Sequence, residues 1–146
     1  MPTYTVHAPA GRLSSAQKAD IAREITRAHH THTGAQRFFA QVLFNDVPPG
    51  SWYVGGMPID GEQIYLQGQV RAGRSEPVKK ALLTELAEIL VAGSGFPRHK
   101  TWVYLIELPP SHMVEYGHVL PQPGTEAAWL AALPGEDRAF MQSIVA

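Results

Sequence analysis

The stretch Gln63-Ile64-Tyr65-Leu66-Gln67-Gly68-Gln69-Val70-Arg71-Ala72-Gly73-Arg74-Ser75 restarts a pattern that the chain has already used once. Its Ala72-Gly73-Arg74 repeats Ala10-Gly11-Arg12, about 62 residues earlier. In both places a β-prone segment, Thr3 to His7 or Gln63 to Val70, runs into this turn. After the first turn Ile21, Ile25 and Ala28 recur at helical spacing, with Ser14 or Ser15 as N-cap and Gly34 as the stop. After the second, Ser75 caps a helix with Pro77 in its first turn, and Val78, Leu82, Leu86 and Ile89 form an apolar stripe that ends before Gly93 and Gly95. Each helix leads into an aromatic and β-branched run that reads as a strand, Phe38 to Phe44 and Thr101 to Ile106.

Two consecutive β-α-β units predict an α+β fold, with a four-stranded mixed sheet and both helices on one face, because right-handed crossovers place them together. Residues 1–60 make the first unit, 61–108 the second, and 109–146 a C-terminal loop and arm. The arm is rich in Pro and Gly through Gly124, then carries short amphipathic segments at Trp129 to Leu133 and Asp137 to Ile144. Residues 1–146 together read as a single domain, the usual size for one core. The sheet face without helices is expected to be buried by further copies of the chain.

Composition removes several function classes. Twelve Lys and Arg against thirteen Asp and Glu give a net charge of -1, so no long-range field favours nucleic acid or an anionic membrane. The absence of cysteine excludes disulfides, thiolate nucleophiles and Cys-ligated zinc. The start, MPTYTVHAPAGR, has neither the charge nor the apolar run of a signal peptide, and no stretch approaches the ~20 residues of a membrane span. A cytoplasmic protein is expected.

Met-Pro at the start, the doubled β-α-β unit, and Met113-Val114-Glu115-Tyr116-Gly117 followed by Leu120-Pro121-Gln122-Pro123-Gly124 resemble the cis-3-chloroacrylic acid dehalogenase family of the tautomerase superfamily. That superfamily includes 4-oxalocrotonate tautomerase and macrophage migration inhibitory factor. The resemblance implies a homotrimer and an enzyme that works without metal or organic cofactor on a small carboxylate. Removal of Met1 would free the Pro2 amine, whose reference pKa near ~8 suits it to act as acid, base or nucleophile; a proline is also simply tolerated at the start of a strand.

Arg71 and Arg74 flank the turn into the second helix, where two guanidinium groups can clamp a carboxylate, and both match the family's carboxylate-binding arginines. Arg12 holds the corresponding place in the first unit, without an amine beside it. His29 matches a substrate-binding histidine. With His32 at i+3 it also suggests a metal pair, but no third ligand follows at a recognised spacing. Tyr104 alternates with Trp102 and Ile106, a pattern of core or interface aromatics. The resemblance gives it and Glu115 the positioning and activation of an attacking water. One departure is His118, where related dehalogenases carry Arg, which leaves the pocket less positive.

The implied reaction is hydrolytic dehalogenation or hydration of a cis-3-haloacrylate-like acid to malonate semialdehyde. Tautomerisation or decarboxylation of 2-oxo or 3-oxo acids is the enzymatic alternative, and a trimeric cytokine-like binding protein the non-enzymatic one.

Overall fold

Strand β1 (Thr3–Pro9) alternates Tyr4, Val6 and Ala8 into the core with Thr3, Thr5 and His7 toward the other face. It is the first element of a computed structural model that describes residues 2–144; removal of Met1 therefore concerns a residue outside the described ones. Helix α1 (Ser15–Thr33) begins at Ser14, whose side chain accepts from the Gln17 amide while the Gln17 side chain accepts from the Ser14 amide. Such reciprocal capping satisfies two otherwise orphaned donors and contributes about 1 kcal/mol. The helix ends at Gly34, in the left-handed conformation that glycine adopts without strain.

Strand β2 (Gln41–Val47) starts later than the aromatic run predicts. Phe38 and Phe39 instead form a short 3-10 turn, Arg37–Phe39, and both are buried. Strand alternation would send one of the two rings outward, whereas the turn sends both into a second apolar cluster with Met113, Leu120, Leu133 and Met141. A small hairpin of β3 (Tyr53–Val54) and β4 (Met57–Pro58) precedes β5 (Ile64–Arg71).

Helix α2 (Glu76–Ser94) follows Ser75, which holds the N-cap position without the expected side-chain hydrogen bond, and stops at Gly95. Gly93 lies inside it and is no stop: a Cβ there would sit 2.4 Å from Cγ1 of Ile21, so the missing side chain lets α1 and α2 cross closely. Strand β6 (Thr101–Leu108) completes the main sheet, and a second hairpin, β7 (Val114–Glu115) with β8 (His118–Val119), follows. The arm ends in α3 (Glu126–Ala132) and α4 (Gly135–Ser143).

The main sheet has the order β2-β1-β5-β6, with β1 parallel to β2, β5 parallel to β6, and the two units joined antiparallel between β1 and β5. It is a four-stranded mixed sheet in an α+β fold. Helices α1 and α2 pack on one face, where their Ile21, Ile25, Leu86 and Leu90 share a core with Tyr4, Val6, Ile64 and Leu66 of the sheet. The opposite face leaves Leu43, Trp102, Tyr104 and Ile106 between 41% and 52% exposed. Among the described residues no helix is long and apolar enough to cross a membrane.

Candidate active site

The antiparallel register pairs Thr3 with Gln69, so the C-terminal end of β5, where Arg71 lies, runs beside the start of β1. The C-terminal turns of α1 come to the same edge, because α1 returns along the sheet to feed the parallel strand β2. His29, Arg71 and Arg74 thus line one narrow pocket, with about 10 Å³ of space for water, together with Thr33, Lys79 and Leu105.

His29 is 4% exposed, and its Nδ1 lies 2.7 Å from the Tyr4 hydroxyl. Burial raises the Tyr4 pKa, so the phenol stays protonated. Burial also lowers the His29 pKa to about 3, aided by the positive charges of Arg74 and Arg71, so the ring is neutral near pH 7. With the phenol donating to Nδ1, we assign the ring proton to Nε2. That nitrogen is buried without a protein partner, as are Nε of Arg71 and Nε of Arg74. Three buried N–H donors without acceptors, on residues lining one pocket, match the needs of a carboxylate. Burial lowers the Arg74 pKa, and the like charge of Arg71 lowers it further, so an incoming anion relieves repulsion between them.

The terminal nitrogens of Arg71 are already engaged. Nη1 donates to the Pro121 carbonyl at 2.8 Å, and Nη2 pairs with Glu126. The second Glu126 oxygen accepts from the Gly124 amide at 2.8 Å. Burial works against ionisation of Glu126, but the hydrogen bond and charge of Arg71 together with the backbone amides of Glu126 and Gly124 outweigh it, and its pKa is lowered overall.

Glu115 lies outside this pocket. It lines a larger hollow of about 550 Å³ with Thr3, Phe38, Gln41, Tyr116 and others. Tyr116 and Gly117 form the two-residue turn of the β7–β8 hairpin with φ of +54° and +81°, which explains a glycine after the tyrosine. The Tyr116 hydroxyl donates to the Phe38 carbonyl and its ring packs edge-on against Phe38, Phe39 and Phe140, holding Glu115 in place. The start of β1 connects both hollows: Thr3 lines this one, and Tyr4 bonds His29 in the other. Pro2 immediately precedes them, with its side chain fully buried and its carbonyl accepting from the Gln41 amide at 3.0 Å.

Tyr104 is not brought to either hollow. It stands 52% exposed on the helix-free sheet face, packed edge-on against Tyr65 and stacked with Trp102. His118 also turns away, to Asp137 on α4 at 2.8 Å. The histidines after His29 have separate partners: His30 meets the Ala35 carbonyl and His32 meets Glu85. Among the described residues, no group of three or more His, Asp or Glu is placed to hold a metal. Sequence reasoning missed Tyr4 and Glu126. The first carried a signal, since a tyrosine alternating into a core needs a partner for its hydroxyl.

Comparisons with known proteins agree with this fold. A family described as putative oxalocrotonate tautomerase enzyme matches residues 1–132. The probable tautomerase LL0574 of Lactococcus lactis subsp. lactis (strain IL1403) is 45% identical over 56 residues, which are 38% of this chain and 90% of that protein. Among solved structures, the chain is similar to N1, a member of the cis-3-chloroacrylic acid dehalogenase family. That match has a TM-score of 0.93 and 30% identity over 97% of this chain and 99% of N1. It is also similar to the F6 fused 4-OT wild type asymmetric trimer, with a TM-score of 0.74 and 25% identity over 80% of this chain and 94% of that one.

Proposed function

The chain belongs to the putative oxalocrotonate tautomerase family, and from that premise we propose that it is a cofactor-independent enzyme for hydrolytic dehalogenation or hydration of a three-carbon unsaturated acid such as cis-3-haloacrylate. The observation that carries this reading is the set of three buried, unpartnered donors on His29, Arg71 and Arg74 around one pocket. They would hold the carboxylate and draw electron density from C3. Glu115, with a Tyr104 supplied by another copy of the chain, would direct water to C3 while the Pro2 ammonium, freed by loss of Met1, delivers a proton to C2. The resulting halohydrin loses HX to give malonate semialdehyde. A positioned acid or base contributes about 10²- to 10⁴-fold, so the groups must act together.

The helix-free sheet face with its exposed Leu43, Trp102, Tyr104 and Ile106 supports assembly as a homotrimer, with residues 1–146 folding as one domain. A second reading, tautomerisation of a 2-oxo acid with Pro2 as base, is favoured by one observation. His118, where related dehalogenases carry Arg, is bound to Asp137 and lines neither hollow.

The test is a panel of cis- and trans-3-chloroacrylate, propiolate and phenylenolpyruvate, run on protein whose N-terminus has been checked by intact mass. Turnover of cis-3-chloroacrylate with halide release, lost when Met1 is retained, is expected. Turnover of phenylenolpyruvate alone selects the tautomerase reading, and full activity with Met1 in place sinks both.

A further inference from the structure

The hollow that Glu115 lines is walled mostly by apolar side chains. Phe38, Phe39 and Met113 line it from buried positions, the Tyr116 ring packs edge-on against both phenylalanines, and Val114 and Ile144 line it from exposed ones. Its volume of about 550 Å³ falls in the range of about 300 to 1,000 Å³ that holds ligands well beyond three carbons. The pocket of His29 is the opposite case. Its space of about 10 Å³ is room for about one water, enough for a carboxylate oxygen at the three donors and for none of the carbon chain behind it. The carbon chain of a bound acid therefore lies outside that pocket. Consecutive residues of β1, with Cα atoms about 3.8 Å apart, reach both places: Thr3 lines the hollow of Glu115, and Tyr4 bonds His29.

We propose that the hollow of Glu115 is a subsite for an apolar substituent on C3, and that the substrates of this enzyme are 2,3-unsaturated acids carrying an alkyl or aryl group there. The inference rests on the reading of His29, Arg71 and Arg74 as the anchor of the carboxylate and of Glu115 as the group that directs water to C3. Whatever C3 carries then projects among the neighbours of Glu115, with Val114 and Tyr116 on either side of it in the hairpin. Each methylene buried there strengthens binding about fourfold. The chemistry needs no further reactant. Water adds across the triple bond of a 2-alkynoate, its oxygen to C3 and a proton to C2, and the resulting enol ketonises to a 3-oxo acid.

The probes are propiolate and oct-2-ynoate, which differ by a five-carbon chain on C3. Wild type should convert oct-2-ynoate to 3-oxooctanoate with a kcat/KM about tenfold or more above that for propiolate. Val114→Glu and Ile144→Glu put a charge into the subsite from exposed positions, and each should cut that ratio by about tenfold. A wild-type preference for propiolate, or equal losses for both alkynoates in both variants, overturns the subsite and leaves the acid site and its hydration chemistry standing. Equal losses accompanied by a smaller particle in light scattering assign the hollow to a second copy of the chain instead. Turnover of neither alkynoate sinks the hydration reading, and binding by calorimetry then decides the subsite. Octanoate held about tenfold or more tighter than propionate, with the difference narrowed in Val114→Glu, upholds it; equal affinities, or binding of neither acid, overturn it.

Discussion

The Tyr4 hydroxyl lies 2.7 Å from Nδ1 of His29, and the bond between them is buried where the start of β1 meets the end of α1. It ties the ring of a pocket residue to the second residue of the central strand. Tyr4→Phe removes the donor and leaves Nδ1 as a buried acceptor without a partner, which costs about 1–3 kcal/mol. Urea unfolding should show that loss. Acid binding should weaken as well, because the ring can then turn its proton away from the pocket. Unchanged affinity for acrylate in a folded Tyr4→Phe protein would show that the bond does not orient His29.

His29 also predicts how stability follows pH. Its folded pKa of about 3 lies below the ordinary 6.5, so the unfolded chain binds the proton more readily. The contribution is complete above pH 6.5 and is lost as pH falls toward 3, with a limiting slope of about 1.4 kcal/mol per pH unit. Carboxylates with lowered pKa, such as Glu85 and Glu126, add the same sign, but only below their ordinary 4.5. The interval from pH 6 to 5 therefore reports His29 together with His7, whose pKa burial also lowers. His29→Gln should flatten the unfolding free energy there, and an unchanged slope would mean that the ring is solvated.

The two arginines should separate by stability even though both serve the acid. Substitution of either by Ala should cost about 2–5 kcal/mol in kcat/KM, and Lys should rescue poorly because it lacks the fork. Arg71→Ala additionally strands the Glu126 carboxylate and the Pro121 carbonyl and should lower stability by about 1–3 kcal/mol. Arg74→Ala removes a like charge next to Arg71 and should leave stability nearly unchanged. Equal destabilisation by both would contradict the bracing of Arg71 by the arm.

The parts of this protein that were legible in its sequence are those written in local periodicity. Arg71 and Arg74 stood out at a strand-to-helix turn that the chain spells twice and by their match to the resembled family, His29 by that match alone, and strand alternation put Tyr104 on a face with Trp102 and Ile106. Glu126 was not legible: its partner Arg71 is 55 positions away, and a pair at that separation leaves no trace in spacing. Tyr4 and His29, 25 positions apart, are the same case. Phe38 and Phe39 were misread as strand because aromatic residues raise β propensity, whereas tertiary burial of both rings decided the backbone. The hairpins β3–β4 and β7–β8 have two-residue strands, too short for any alternation to register.

Gly93 tests the crossing of the two helices independently of function. In an open helix Gly→Ala is stabilising by about 1 kcal/mol. Here the added Cβ meets Ile21 at 2.4 Å, and overpacking a closed core costs about 1–3 kcal/mol. Gly93→Ala should therefore lower the unfolding midpoint, and the same substitution should cost less in an Ile21→Ala background, which lacks the clashing Cγ1. A stabilised single variant would mean that the helices do not approach this closely.

Tyr104 sets the last test, because one chain alone cannot deliver it to the pocket. Leu105, the next residue, lines that pocket, so strand alternation turns Tyr104 toward the opposite, helix-free face. If its phenol serves the reaction, it does so in another copy, and each active site is shared between subunits. Tyr104→Phe and Arg74→Ala should then both be nearly inactive alone, yet complement each other when co-expressed. In an equal mixture half of the pockets retain Arg74 and half of those face a neighbour with Tyr104, so about one quarter of wild-type activity should return if subunits mix at random. Light scattering of the wild type should report a trimer of the 16.0 kDa chain. Activity no higher than the mean of the two parents would place the phenol outside the reaction, and a monomer in solution would remove the shared site altogether.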